Sequence, residues 1–167
     1  MSQGRHMRRA EREVLDPAAL ERILQGARVL FLAFSDQPAP CVLPVCFGYE
    51  SGVIYVHSAR AGTKMDLMAR QPMVGFSATT EMRVVTGDTP CRFSARAESV
   101  VGTGKAEILT EETDRRRGLD LIMRHYDTGG TPATEAEGAR PAYEPASFAR
   151  TCIIAIRVQT MRGKRLG

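Results

Sequence analysis

The hydrophobic pattern opens with a short amphipathic helix followed by a strand. Asp16 can accept hydrogen bonds from free backbone N–H groups, and Pro17 is tolerated at the first helical position, so a helix is predicted to begin here. Apolar side chains then recur at helical spacing, at Leu20, Ile23, Leu24 and Ala27. From 29 to 34 the residues are continuously apolar and predict a strand. The helix is therefore expected to pack one face against a core.

Five further segments have the composition and alternation of strands. They span 41–49, 53–58, 73–79, 91–109 and 151–160. The tripeptide Glu50-Ser51-Gly52 is typical of a tight hairpin turn. In the long fourth segment, Gly102 and Gly104 indicate a bulge or a close approach of another group.

Two more helices are predicted between these strands. Thr63 and Asp66 have the spacing of a capping box, and the helix that they open must end before Pro72. Thr110 is predicted to cap a longer helix whose apolar stripe is Leu119, Ile122, Met123 and Tyr126. Arg115 and Arg116 lie four residues after Glu111 and Glu112, and the three arginines at 115–117 are interpreted as a solvated helix face.

This order of elements favours a mainly β fold. Six strands with hairpin-scale connections and only three or four short helices do not fit a doubly wound fold, in which strands and helices alternate. We expect a six-stranded antiparallel barrel with helices packed outside, formed by a single domain over 13–161. The polar stretch 127–141 is expected to be a surface excursion.

The basic charge of the chain is concentrated at its ends. The net charge is +4, but residues 1–12 sum to +3 and residues 162–167 to another +3, which leaves −2 on the body. We interpret the two ends as mobile basic tails. Because a nucleic-acid-binding domain needs its cations on one face, this placement does not favour a nucleic-acid partner.

Membrane insertion and secretion are not expected. The longest apolar stretches reach six or seven residues, whereas a membrane span needs about 20. No apolar segment of the kind found in signal peptides follows the basic N-terminus. The four cysteines, at positions 41, 46, 91 and 152, have no C-x-x-C spacing, so we expect reduced thiols in a cytoplasmic protein and no metal site.

The turn between the third strand and the second helix has the parts of a phosphate site. Ser58 offers a hydroxyl, the turn over 59–62 offers backbone N–H groups, and Lys64 lies at the positive end of the helix. The spacing matches neither a P-loop nor a dinucleotide fingerprint. The alternative is an ordinary capped helix with a solvated lysine.

His57 ends the same strand and could reach a ligand at this turn. An unperturbed imidazole has a pKa near 6.5, which permits proton donation at neutral pH. The alternative is a strand-end histidine satisfied by backbone. No G-x-S-x-G motif or activated cysteine supports a hydrolase.

Several segments together resemble one family. They are Cys41-Val42-Leu43-Pro44-Val45-Cys46, Tyr55-Val56-His57-Ser58-Ala59, Gly62-Thr63-Lys64 and Ser99-Val100-Val101-Gly102-Thr103-Gly104. In this order they are similar to the flavin-binding split-barrel proteins related to pyridoxamine 5′-phosphate oxidase, in particular the nitroimidazole-resistance (Nim-like) branch. The resemblance extends from about Met7 to Lys164.

The resemblance implies a homodimer of six-stranded split barrels that binds FMN at the subunit interface. By this resemblance, Leu43, Pro44, Val45 and Cys46 lie along the isoalloxazine ring and offer backbone groups to it. His57, Ser58 and Ala59 line the ribityl and phosphate end, and Lys64 neutralises the phosphate. Ser99, Gly102 and Lys164 are further cofactor-binding candidates.

Two departures from the family pattern limit the functional expectation. Ala97 stands where the pattern has an aromatic residue, and the chain lacks tryptophan and the C-terminal substrate signature of true pyridoxamine phosphate oxidases. We therefore expect an FMN-dependent oxidoreductase in which a nicotinamide donor, NAD(P)H, reduces the flavin, which then reduces a small acceptor such as a nitroaromatic. His57 is the candidate catalytic proton donor. The alternatives are a non-catalytic flavin carrier or sensor and a haem-binding relative.

Overall fold

A computed structural model describes residues 7–127 and 143–166. The strands are β1 (Glu13–Val14), β2 (Leu30–Phe34), β3 (Cys41–Val45), β4 (Phe47–Glu50), β5 (Val53–Ala59), β6 (Met73–Thr79), β7 (Arg83–Val85), β8 (Ser94–Ile108) and β9 (Thr151–Leu166). The helices are α1 (Pro17–Gly26), α2 (Thr63–Arg70), α3 (Glu112–Tyr126) and α4 (Pro145–Arg150). Most of the predicted excursion over 127–141 and the first half of the predicted N-terminal tail lie outside the described residues.

The mainly β antiparallel fold is confirmed. Hydrogen-bonded neighbours follow the order β3-β2-β6-β8-β9-β5-β4, with β1 added to β9 and β7 added to β8. The strands β3 and β4 occupy opposite ends of this order, yet a single residue, Cys46, separates them in sequence. The two edges of the sheet must therefore meet at Cys46, which closes the sheet into a barrel. The segment 41–49 was predicted as one strand and is split at this point.

The barrel interior is filled by the inward-facing residues of the strands and by one face of α1. Ile23 and Leu24 are buried almost completely, as are Ile54 and Ile156 on the neighbouring strands. Burying one such side chain stabilises the fold by roughly 1.5–3 kcal/mol. The predicted cap of α1 forms, since a carboxylate oxygen of Asp16 accepts from the Ala19 N–H at 2.9 Å.

The C-terminal segment differs from its prediction. Strand β9 continues past Thr160 to Leu166, where it pairs with β8 on one side and β1 on the other. Arg162 forms an ion pair with Glu13, and Arg165 lies 2.8 Å from Glu98. Residues 162–166 are therefore part of the sheet and not a tail, because they pair with β1 and β8, and carboxylates on other elements balance Arg162 and Arg165.

The helix starts also differ in detail. The residue before α2 is Gly62, with φ +116°, and no side chain caps the helix, so the predicted capping box of Thr63 and Asp66 does not form. Helix α3 begins at Glu112, two residues after the predicted cap at Thr110. The predicted bulge is present, since the register of β8 and β9 shifts between Thr103 and Gly104.

The triple arginine is not simply a solvated face. Arg115 donates to the carbonyls of Phe148 and Thr151, at 2.7 and 2.8 Å, and its guanidinium lies 4.4 Å from the centre of the Phe148 ring. Arg116 forms the expected ion pair with Glu112 at 2.8 Å. Arg115 therefore joins α3 to the C-terminal end of α4.

None of the helices within the described ranges has the length and apolar character required to cross a bilayer.

Candidate functional site

The end of β5 and the turn that follows it deliver the candidate phosphate-binding residues. Alternation along the strand sends Ser58 toward the barrel interior, opposite Cys152, and His57 to the outside, opposite Ile153. The chain then turns through exposed residues to Gly62 and enters α2.

The N-terminus of α2 is arranged to receive an anion. The Gly62 carbonyl accepts from Met65 and Asp66, at 2.8 and 3.2 Å, but no side chain caps the first turn. The N–H groups of Thr63 and Lys64 consequently have no acceptor among the described residues. Free N–H groups and the helix dipole make this end attractive to a phosphate.

Lys64 stands at this N-terminus without a counter-charge. Its side chain is half-buried, and no carboxylate or hydrogen-bond acceptor in residues 7–127 or 143–166 pairs with the ammonium. Desolvation by burial lowers the pKa of Lys64, and the Cys152 sulfur acts in the opposite direction. A bound anion would relieve the cost of holding this charge partly out of water.

His57 lies close enough to Lys64 to respond to its charge. Partial desolvation, and secondarily the Lys64 ammonium, lower the pKa of His57 from its ordinary value of 6.5. The imidazole is thus mainly neutral at neutral pH in the ligand-free protein, which is not the state needed for proton donation. An anion beside Lys64 would shift this pKa back upward.

A cleft of about 410 Å³ opens beside the first turn of α2. It is lined by Arg60, Met65, Ile108, Leu109, Thr110, Arg115 and Cys152. Burial raises the pKa of the Cys152 thiol, while the charges of Arg60, Arg115 and Lys64 act to lower it. Two arginines therefore line this cleft, and Lys64 lies close enough to Cys152 to act on the same thiol.

Leu43 to Val45 lie on β3, one of the two edge strands of the sheet, and Cys46 follows them. Leu43 and Val45 pack against the core, so they can offer only backbone groups, whereas Pro44 and Cys46 are exposed. Pro44 is tolerated because, among the strands of the described residues, β3 has a neighbour on one side only. Burial chiefly, and the nearby Cys46 side chain in addition, raise the pKa of the Tyr126 hydroxyl at the end of α3.

An apolar patch faces outward beside this edge. Phe31, Val42 and Val101 are 45%, 53% and 48% exposed, and Pro44 is exposed next to them. The register places Phe31 opposite Pro44 and Ser77, and Ser77 opposite Val101, so these side chains share one face. We call Phe31, Val42, Pro44 and Val101 the outer patch.

A family model for pyridoxamine 5′-phosphate oxidase matches residues 16–165, which is nearly the whole chain. The chain belongs to the pyridoxamine 5′-phosphate oxidase family. Among curated proteins, none matches it significantly.

Solved structures of the same fold agree with the barrel. A candidate 5-nitroimidazole antibiotic resistance protein from Bacteroides thetaiotaomicron is 28% identical, with a TM-score of 0.76 over 93% of this chain and 87% of that one. An FAD- and haem-binding protein from Mycobacterium smegmatis is 17% identical, with a TM-score of 0.76 over 92% and 73% of the two chains. An FAD-binding protein from Mesorhizobium loti is 21% identical, with a TM-score of 0.62 over 93% and 97%.

In this member of the pyridoxamine 5′-phosphate oxidase family, the predicted site residues fall into three groups. His57, Ser58, Ala59 and Lys64 lie together at the β5–α2 turn. Leu43 to Cys46 lie at the sheet edge, and helix α2 contacts β2, the strand beside that edge. Ser99 and Lys164 are paired on the outside of β8 and β9, on the same face of β8 as Val101.

Gly102 also has a packing role, which agrees with the close approach predicted for it. A Cβ atom at this position would overlap the Phe76 ring and the Thr160 carbonyl inside the sheet. The absence of a side chain there allows close packing of Phe76.

Sequence reasoning missed Arg60, Arg115 and Cys152 as neighbours of the site. Arg60 lies in the turn that was already singled out, so its charge was available as a signal. Arg115 was hidden because its spacing to Glu111 suggested a surface pair. Cys152 enters the site only through its register with Ser58, which is a long-range relationship.

Proposed function

We propose that this chain is a flavin-dependent oxidoreductase that binds FMN between two copies of itself. The observation that carries the proposal is the uncapped N-terminus of α2 with the half-buried, unneutralised Lys64 beside it. The names of the solved relatives, which include FAD-binding proteins of the same fold, support a flavin as the ligand.

The β5–α2 turn suits the phosphate of FMN. A phosphate monoester carries a charge of about −1.5 to −2 at neutral pH and offers three acceptor oxygens. The Thr63 and Lys64 N–H groups, the Lys64 ammonium and the Ser58 hydroxyl supply matching donors. Ala59 and His57 would border the ribityl chain.

The edge of the sheet suits the flavin ring. The exposed Pro44 and the free backbone edge of β3 combine apolar surface with hydrogen-bonding groups, as a flat heterocycle requires. A second copy of the chain would cover the outer patch and complete the site. Ser99 and Lys164, on the same side of the sheet, would face that second copy.

Bound FMN would supply the transfer of electrons from NAD(P)H to a small acceptor such as a nitroaromatic. The chain itself would orient the ring at the β3 edge and hold the phosphate end at Lys64. The phosphate would raise the pKa of His57, so that the imidazole could hold a proton beside the site at neutral pH. His57 is therefore proposed as the catalytic proton donor.

Titration of the full chain with FMN tests the binding. We expect uptake of FMN with quenching of its fluorescence, and at least a tenfold weaker Kd for Lys64→Ala, because a charge-assisted contact is lost. Lys105→Ala is the matched control, since Lys105 is an exposed lysine on β8. A chain that takes up no FMN would overturn the proposal.

Anaerobic addition of NADPH or NADH tests the oxidoreductase role. Loss of the oxidised flavin absorbance, followed by its return when a nitroaromatic is added, would support turnover, and His57→Gln should slow the second step. A flavin that stays oxidised with both donors would instead support a carrier or sensor. Uptake of haem in place of flavin would support the haem-binding alternative.

A further inference from the structure

We propose that the cleft beside α2 binds an adenylate group, that is, an adenosine phosphate. The cleft is the one lined by Arg60, Met65, Ile108, Leu109, Thr110, Arg115 and Cys152. The proposal goes beyond FMN binding and rests on the proposed function only for the identity of the neighbouring ligand.

The charge of the cleft favours an anionic ligand. Arg60 and Arg115 line it, Lys64 stands next to it, and no acidic side chain is among its described lining residues. A phosphate would bring the counter-charge that this group of cations lacks.

The two arginines are already held in place. The Arg60 Nε donates to the Ala149 carbonyl at 2.9 Å, and its terminal nitrogens have no acceptor among the described residues. Arg115 is fixed by the Phe148 and Thr151 carbonyls, at 2.7 and 2.8 Å, and by the Phe148 ring. Pre-organised guanidinium groups bind phosphate at a lower entropic cost than free ones.

Part of the cleft lining is apolar, which a phosphate alone does not require. Met65, Ile108 and Leu109 make up this part, and Ile108 is 47% exposed although it is a large aliphatic side chain. A volume of about 410 Å³ is in the range of sites for small organic ligands and exceeds the needs of a single inorganic anion. A phosphate attached to a flat heteroaromatic base, whose faces can stack on apolar side chains, matches both parts of the lining.

The position of the cleft links it to the flavin site. Met65 belongs to the first turn of α2 and directly follows Lys64. A ligand whose phosphate binds at that turn could continue into the cleft, as the adenylate half of FAD would. The adenylate half of a nicotinamide donor contains the same adenosine and phosphate groups. Both FAD and the nicotinamide donor are therefore tested as sources of the adenylate.

Titration of the full chain with ADP tests the cleft directly, with adenosine and inorganic phosphate as comparisons. We expect ADP to bind more tightly than either, and Arg60→Gln to weaken it about tenfold. Arg70→Gln removes the same charge at the far end of α2 and should leave ADP binding unchanged. Ile108→Ser should weaken ADP severalfold, whereas Met123→Ser, at the similarly exposed Met123 on α3, should not.

A comparison of FAD with FMN distinguishes the sources. If the cleft serves the cofactor, FAD will bind at least tenfold more tightly than FMN, and Arg60→Gln will remove the difference. If it serves the donor, the two flavins will bind equally, and ADP will compete with NADPH on the FMN-loaded protein.

The adenylate proposal is overturned if ADP does not bind and FAD shows no advantage over FMN. Binding of ADP that depends on Arg60, without uptake of either flavin, would retain the cleft proposal and overturn the flavin proposal. The two proposals therefore fail separately.

Discussion

The hydroxyl of Tyr126 accepts a hydrogen bond from the backbone N–H of Phe47, at 3.2 Å. The same hydroxyl donates to the Arg28 carbonyl at 2.8 Å. Phe47 is the first residue after Cys46, where the two edges of the sheet meet, and Arg28 precedes β2. The Tyr126 side chain, at the end of α3, therefore connects the start of β4 with the segment that leads into β2. These two strands lie toward opposite ends of the sheet order.

Replacing Tyr126 with phenylalanine should destabilise this junction. The Phe47 N–H and the Arg28 carbonyl would lose their partner, at a cost of about 1–3 kcal/mol in the free energy of unfolding. Urea denaturation measures the loss. Tyr55→Phe is the control, because the Tyr55 hydroxyl has no hydrogen bond among residues 7–127 and 143–166, and it should change stability much less. Equal effects of the two variants would contradict the role given to Tyr126.

Gly62→Ala should impair both stability and phosphate binding. The position has φ +116°, which a residue with a Cβ adopts only with strain, although a Cβ added there would have no atom within 4 Å to clash with. The cost should be about 1–3 kcal/mol, and FMN should bind more weakly because the first turn of α2 is displaced. Gly26→Ala, in ordinary contact with Thr80 and without a positive φ, should be tolerated. If Gly62→Ala bound FMN as tightly as the unaltered chain, the backbone N–H groups of the first turn of α2 would not contribute to phosphate binding.

The stability of the ligand-free protein should fall as the pH drops below 6.5. Burial is the main cause that lowers the pKa values of His57 and His125 from 6.5, and nearby cations add to it, although the Ala27 carbonyl partly opposes the shift at His125. Between the lowered pKa values and 6.5, the unfolded chain binds more protons than the folded one, so acidification favours unfolding. Carboxylates titrate lower, at about pH 4.

Urea denaturation above and below pH 6.5 measures this dependence. His125→Gln should reduce the slope, because glutamine can still donate to the Ala27 carbonyl but does not titrate. Bound FMN should also reduce the slope by raising the pKa of His57. A profile that is flat in the ligand-free protein would contradict the expectation.

Phe31→Asp should weaken the proposed homodimer. The substitution places a charge in the centre of the outer patch, which a second copy must desolvate. Sedimentation should show a shift toward monomer, accompanied by weaker FMN binding if the site lies between subunits. Leu15→Asp changes a residue that is 64% exposed outside the patch and should affect neither property. A monomeric wild-type chain that binds FMN normally would refute the interface.

The strands were predictable because their signals are local. The alternation of Ile156 and Val158 with Arg157 and Gln159, and the turn at Gly52, depend on a few adjacent residues. The break at Cys46 was not predictable in this way, since no turn residue marks it. It results from closure of the barrel, a relationship between strands that are far apart in the sheet order.

In the candidate site, too, features that depend on adjacent residues were predictable and those that depend on distant parts of the chain were not. Ser58 and Lys64 were recognisable from one strand-turn-helix segment, and the structure places them at one turn. The end of β9 was misread because Arg162 and Arg165 resemble a solvated tail until Glu13 and Glu98 are placed beside them. Arg115 could likewise be recognised as a cleft residue only once its contacts with the C-terminal end of α4 were known.

The central position of β9 also bears on how the protein folds. This strand is hydrogen-bonded to β1, β5 and β8, and its register joins Glu13 with Lys164. Pairing across such sequence separations requires a large loss of chain entropy before any contact is gained, and folds dominated by it form in milliseconds to seconds. We therefore expect the barrel to fold slowly, because β1 and β5 cannot complete their pairing until β9 has joined the sheet.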